Sequence, residues 1–297
     1  MIAMLTSHMF NNDLLTAFFA LGATLAWGCG DFSGGLVSRR HDAHSVVIAA
    51  QLISLAPLLI LVGTFEFVMP KASDLFFGSL GGVIGVFGLL NLYQGLSVGR
   101  MSVVAPLAAI IASVIPVLVG ILSDGLPTPI QLAGFALALI AVWFLSSDGK
   151  RLEATAGELR FAITSGIGFA AFYVSLDKVS GETILWPVLA ARVASIVALS
   201  VYTVSRRLWL APARSLLPLI VLTGLLDTAG NFFFTMATHT GRLDIATVVS
   251  SLYPGVTVML ALVILKERLR LNQWFGVLAA FVAIAMITGC VQVTYSA

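Results

Sequence analysis

Residues 216–239 read LLPLIVLTGLLDTAGNFFFTMATH, 24 residues that hold one formally charged side chain, Asp227. A helix needs about 20 predominantly apolar residues to cross the hydrocarbon of a bilayer. This run supplies them continuously, without the alternation that a membrane β-strand shows. Asp227 lies near its centre. Asn231 is four residues further on and shares its helix face, and Phe234 continues that face. A carboxylate at membrane depth costs about 2.5–3.5 kcal/mol on insertion scales. It therefore requires a partner, a cavity or a task.

Nine further runs have the same character. They lie near 14–36, 45–66, 74–97, 102–122, 129–146, 159–177, 184–204, 244–264 and 272–291. The 297 residues are 59% hydrophobic and 10% charged, with a mean hydropathy of +1.03. Soluble domains are about 45–50% apolar and about 25% charged. The composition excludes a soluble enzyme, a secreted disulfide scaffold, a disordered chain and a nucleic-acid binder. It predicts an all-α, multi-pass integral membrane protein of ten transmembrane helices, with the lipid bilayer of an inner or plasma membrane as its surroundings. The longest polar stretches, 147–158 and 205–215, leave no room for a soluble domain. Residues 1–13 carry no Lys or Arg, so no cleavable signal is expected. Cys29 and Cys290 sit in apolar runs and make no disulfide framework.

Basic residues are unevenly placed. The connections after runs 1, 3, 5, 7 and 9, with their flanks, hold 12 Lys and Arg, among them Arg39, Arg40, Arg160, Arg206 and Arg207; the other side holds Lys71, Lys178 and Arg242. The positive-inside rule places the richer side in the cytoplasm and both termini outside.

The two halves resemble each other at a nearly constant offset. Asn91 falls on Asn231 and Gly28 on Gly168 at a shift of 140; Gly99-Arg100 meets Gly241-Arg242, Gln131 meets Gln273 and Gly134 meets Gly276 at 142. Ala49-Ala50-Gln51 matches Ala190-Ala191-Arg192. The expected organisation is a first five-helix repeat at 14–146, a linker at 147–158 and a second repeat at 159–291. Five spans is an odd number, so the repeats are inverted and enclose a central cavity, the arrangement of many secondary transporters.

Trp27-Gly28-Cys29-Gly30-Asp31-Phe32 resembles the opening of an EamA domain. Ser250-Ser251-Leu252-Tyr253-Pro254, Lys266-Glu267-Arg268-Leu269 and Gln273-Trp274-Phe275-Gly276 resemble its close. The chain past residue 14 is thereby similar to the ten-span EamA branch of the drug/metabolite transporter superfamily. The resemblance implies a cavity lined mainly by spans 1–4 and 6–9, a small metabolite, amino acid, nucleotide sugar or drug as substrate, and cytoplasmic termini. On the last point the charge distribution says the reverse, and we follow the charges.

Three ionisable residues stand out inside the spans. Asp227 can bind a proton or cation, or grip a substrate amine. Arg192, near the centre of run 7, can bind a substrate carboxylate or pair with Asp227 on the next helix. Asp31 shares a stripe with Trp27, which suits an ammonium group through charge and cation–π attraction; its structural alternative is a pair with Arg39 or Arg40. Uncharged candidates are Asn231, Asn91, Tyr93, Gln94 and Tyr253. Pro106, Pro116, Pro187 and Pro254 lie within spans and are candidate hinges, because proline removes a helix hydrogen bond. Gly78, Gly81, Gly82, Gly85 and Gly88 give span 3 a smooth face for close packing.

The first functional reading is a secondary active transporter that exports a small amphipathic metabolite such as an amino acid by alternating access, coupled to protons or another ion. The alternative is a transporter of organic cations, choline-like compounds or cationic drugs. A channel or an intramembrane enzyme is disfavoured. There is no repeated filter sequence, no metal-ligand motif and no nucleophile constellation. No cofactor, metal or catalytic residue is expected.

Overall fold

The computed structural model describes residues 12–99, 101–146, 155–208, 214–264 and 271–289, and among them secondary structure is helical. The helices are α1 (Asn12–Ser38), α2 (Ala43–Phe65), α3 (Ala72–Val98), α4 (Met101–Asp124), α5 (Pro129–Ser146), α6 (Ala156–Asp177), α7 (Leu185–Ser205), α8 (Leu217–Thr240), α9 (Leu243–Ser250), α10 (Tyr253–Ile264) and α11 (Leu271–Gly289). A single 3₁₀ turn, Arg214–Leu216, leads into α8. Seven helices are long and apolar enough to cross a membrane: α1, α2, α3, the Leu107–Asp124 part of α4, α6, α7 and α8.

A helix lies on each of the ten apolar runs, but run 244–264 is broken between α9 and α10. The break has a local cause. Pro254 has no N–H to donate, and Ser251 N and Leu252 N close the α9 end on Thr247 O at 2.9 Å and Val249 O at 3.2 Å. Pro254 falls in the first turn of α10, and Pro187 in the first turn of α7. The missing N–H removes no bond inside either of those helices; at Pro254 the interruption of the run lies between α9 and α10. Pro106 and Pro116 lie inside α4.

The outside of the bundle is apolar: Phe18, Leu59, Ile60, Val201 and Leu278 are exposed. Many polar side chains are buried instead, and several of the hydroxyls donate to nearby carbonyls. Thr24 Oγ1 donates to Ala20 O and to Val249 O, both at 2.9 Å. Ser195 Oγ donates across to Gly82 O at 2.8 Å. An apolar exterior around a hydrogen-bonded interior is the arrangement a bilayer solvent favours.

Glycine sets the closest helix approaches. A Cβ on Gly78 or Gly82 would collide with the carbonyls of Pro187 and Ala191, so α3 lies directly on the α7 backbone. Gly224 meets the carbonyl of Ala50 in the same way, joining α8 to α2. The strongest packings pair α1 with α8, α3 with α6 and α7, α4 with α6, and α5 with α11.

The helix ends separate into two poles. At one, the α1–α2 junction carrying Arg39 and Arg40 joins Gln94 and Ser97 of α3 and Phe161 of α6 around an open depression. At the other, Lys71 Nζ pairs with Glu182 at 2.7 Å. Asp74 accepts from Ser180 N at 3.0 Å and Ser180 Oγ at 2.6 Å. Glu66 Oε1 accepts from Ile184 N and Leu185 N, both at 2.9 Å, and so caps the start of α7 from just past the end of α2.

Candidate functional site

The poles leave the centre of the bundle to a cavity with a volume of about 50 Å³. Its walls come from α1, α2, α3, α6, α7, α8 and α10. Of the nine binding residues expected from the sequence, six line it: Trp27, Asp31, Arg192, Asp227, Asn231 and Tyr253.

Arg192 Nη2 donates to Asp227 Oδ2 at 2.7 Å and to Thr228 Oγ1 at 2.6 Å. The pairing that the sequence allowed between α7 and α8 is thus formed. Asp227 sits on the open side of the pair, with its side chain 18% exposed against 2% for Arg192. Arg192 Nε is buried and has no hydrogen-bond partner.

Asp31 is buried on the same cavity wall as Trp27. No ion pair joins it to Arg39 or Arg40, whose side chains are exposed at the pole. The Tyr93 hydroxyl lies beside its carboxylate, and Asp227 acts on it as a second carboxylate. Asp31 is therefore a buried carboxylate without a cationic partner among the described residues.

An aromatic wall stands next to it. The Trp27 ring stacks on Tyr173 with centroids 5.5 Å apart and an interplanar angle of 28°. Phe234 closes the group, 5.5 Å from Trp27 and 4.6 Å from Tyr173. Trp27 Nε1 donates to Asn231 Oδ1 at 3.1 Å, which fixes the indole plane and uses Asn231 as its anchor. Gly230 makes room for the indole, because a Cβ there would overlap its five-membered ring.

Three expected residues do not line the cavity. Asn91 Nδ2 donates to Phe87 O of its own helix at 2.7 Å. Tyr93 is buried behind Asp31, with its hydroxyl 3.4 Å from Gly30 O. Gln94 lines the basic-pole depression. The cavity wall also contains residues not singled out from the sequence as binding groups: Gln51, Phe169, Phe172, Tyr173 and Ser195. Gln51 was visible only as the neutral counterpart of Arg192. Phe172 and Tyr173 follow Gly168, the counterpart of Gly28, so the repeat offset was the signal that marked them. Among the described residues, no group of three or more His, Cys, Asp or Glu side chains is placed to hold a metal ion.

Residues 158–289 match the EamA-like transporter family. The second half of the chain thus carries an EamA-like transporter domain, and with its apolar helices the protein is a multi-pass integral membrane protein. No curated protein matches the sequence. A solved structure described as "Crystal structure of protein" superposes with a TM-score of 0.76 at 13% identity, covering 93% of this chain and 98% of that one. At that identity the likeness is one of fold.

Proposed function

We propose that the protein is a secondary transporter of ten spans that moves a small, amphipathic, amine-bearing solute through its central cavity by alternating access. The transporter domain in the second half supports transport. Partner exchange supports two inverted repeats, at 14–146 and 159–291. The α1–α8 packing has its counterpart in α6–α3, and Gly82 against Ala191 has its counterpart in Gly224 against Ala50. Span 9 is then the broken pair α9 and α10, and Tyr253 enters the cavity beside that break.

The observation that carries the substrate reading is the charge balance of the cavity. Two carboxylates, Asp31 and Asp227, face one guanidinium, and Arg192 is already engaged by Asp227. The unmatched charge is negative, beside stacked aromatic rings. A cation fits this wall through charge and cation–π attraction. The organic-cation reading is therefore favoured over the zwitterion. Asp31 and Asp227 are also the groups through which proton or ion coupling would act. The zwitterionic amino acid remains a second reading because Arg192 Nε is unpartnered; it requires the solute carboxylate to draw Arg192 away from Asp227.

Ligand-induced melting shifts on the purified protein test this. Monoamines and quaternary ammoniums are expected to raise the melting temperature more than zwitterionic amino acids do. Stabilisation by zwitterions alone would overturn the cation reading.

A further inference from the structure

Among the described residues, three buried polar atoms around the cavity have no hydrogen-bond partner: Gln51 Oε1, Arg192 Nε and the Tyr253 hydroxyl. All three residues line the cavity and are at most 4% exposed. They come from α2, α7 and α10, so no local turn or cap explains them. A buried donor or acceptor without a partner loses the water it had before folding and regains nothing. Such atoms are rare in native interiors. Seven further such atoms lie elsewhere among the described residues, but these three belong to residues that share one cavity wall, where an occupant can complete their hydrogen bonds.

Their chemistry is complementary. Arg192 Nε is a donor only, the Gln51 oxygen an acceptor only, and the tyrosine hydroxyl either. A neutral group with one acceptor and one donor answers them. A carboxylate does not. It offers nothing to Gln51 Oε1, and it would add a third anion beside Asp31 and Asp227 against one guanidinium that Asp227 already holds at 2.7 Å. A carboxamide does both: its carbonyl oxygen accepts from Arg192 Nε and the Tyr253 hydroxyl, and its N–H donates to Gln51.

We propose that the preferred solutes are monocations that carry a carboxamide near the ammonium group, with the ammonium held by Asp31 and the amide read by Gln51, Arg192 Nε and Tyr253. This rests on the cation reading of the same cavity and adds the group that sets specificity within it. Gln51 and Tyr253 are then specificity-determining residues. A site built to hydrogen-bond a substrate group discriminates strongly against the analogue lacking it, because its own buried groups are left unpaired.

The test compares three probes that share an aromatic side chain: phenylalaninamide, a cation with a carboxamide; 2-phenylethylamine, a cation without one; and phenylalanine, a zwitterion. Affinities are measured by calorimetric titration of the full-length protein in lipid nanodiscs. Phenylalaninamide is expected to bind at least about tenfold tighter than 2-phenylethylamine. Gln51→Leu and Tyr253→Phe should each cut that preference to about threefold or less. Tyr253→Phe removes a single hydroxyl and serves where Gln51→Leu fails to fold. Equal affinity for amide and amine would overturn this inference and leave the cation reading standing. So would an amide preference that survives both substitutions, since other groups would then read it. Tightest binding of phenylalanine, or binding of none of the three, would overturn both.

Discussion

Arg192 spends one nitrogen on both Asp227 and Thr228, at 2.7 and 2.6 Å, so the pair is a fixed feature of the α7–α8 interface. Removing one partner of a buried ion pair strands the other, at a cost of about 3–5 kcal/mol. Asp227→Asn or Arg192→Gln alone should therefore lower the melting temperature clearly. The double variant Asp227→Asn with Arg192→Gln should recover much of that loss. Thermal unfolding in detergent checks this; single and double variants that melt with the wild type would show that the pair bears no load. These two residues and Asp31 were legible in the sequence because a charge inside an apolar run has few explanations. Gln51 was not, since a neutral amide in Ala49-Ala50-Gln51 carries no such penalty. Asn91 is the opposite case. Its amide looks functional in the sequence, and in the structure its Nδ2 donates to the Phe87 carbonyl one turn back, away from the cavity lining.

Helix positions were legible from apolar run length alone, and the described helices begin and end close to those runs. What the runs hid was the division of 244–264, because Ser250, Ser251 and Pro254 are each tolerated within an apolar segment. Only the bonds formed by Ser251 N and Leu252 N show one helix stopping and another starting. Two interfaces make element-level predictions. Gly82→Val and Gly224→Val each place a branched side chain on a carbonyl of the facing helix, Ala191 and Ala50 respectively. Overpacking of this kind costs about 1–3 kcal/mol, so both variants should melt earlier than the wild type, and to a similar extent. The α7 start is held by Glu66 in place of a residue of its own. Losing a helix N-cap costs about 0.5–2 kcal/mol, and Glu66→Ala should speed hydrogen exchange at the Ile184 and Leu185 amides. Exchange unchanged at those amides would mean that the cap is not needed to order the α6–α7 connection.

Across the described residues, helix ends gather at two poles. Arg39 and Arg40 lie with the end of α3 at one pole. Lys71, Glu182, Asp74 and Glu66 lie at the other, where they clasp the α6–α7 connection. The positive-inside rule puts the first pole in the cytoplasm. A cysteine placed at Ser73, in a protein without Cys29 and Cys290, is then expected to react with an impermeant maleimide added outside intact cells. Labelling only after lysis would reverse the orientation and agree with the cytoplasmic termini implied by the family resemblance. The proposed function makes the protein a carrier whose central cavity selects positive charge at the Asp31 wall. The most direct measurement is exchange of a labelled monoamine across proteoliposomes, for the wild type and for Asp31→Asn. Saturable uptake that accelerates with unlabelled amine on the far side, and that is lost in Asp31→Asn, is the predicted result. Uptake that neither saturates nor responds to the far side, or that persists in Asp31→Asn, would contradict it.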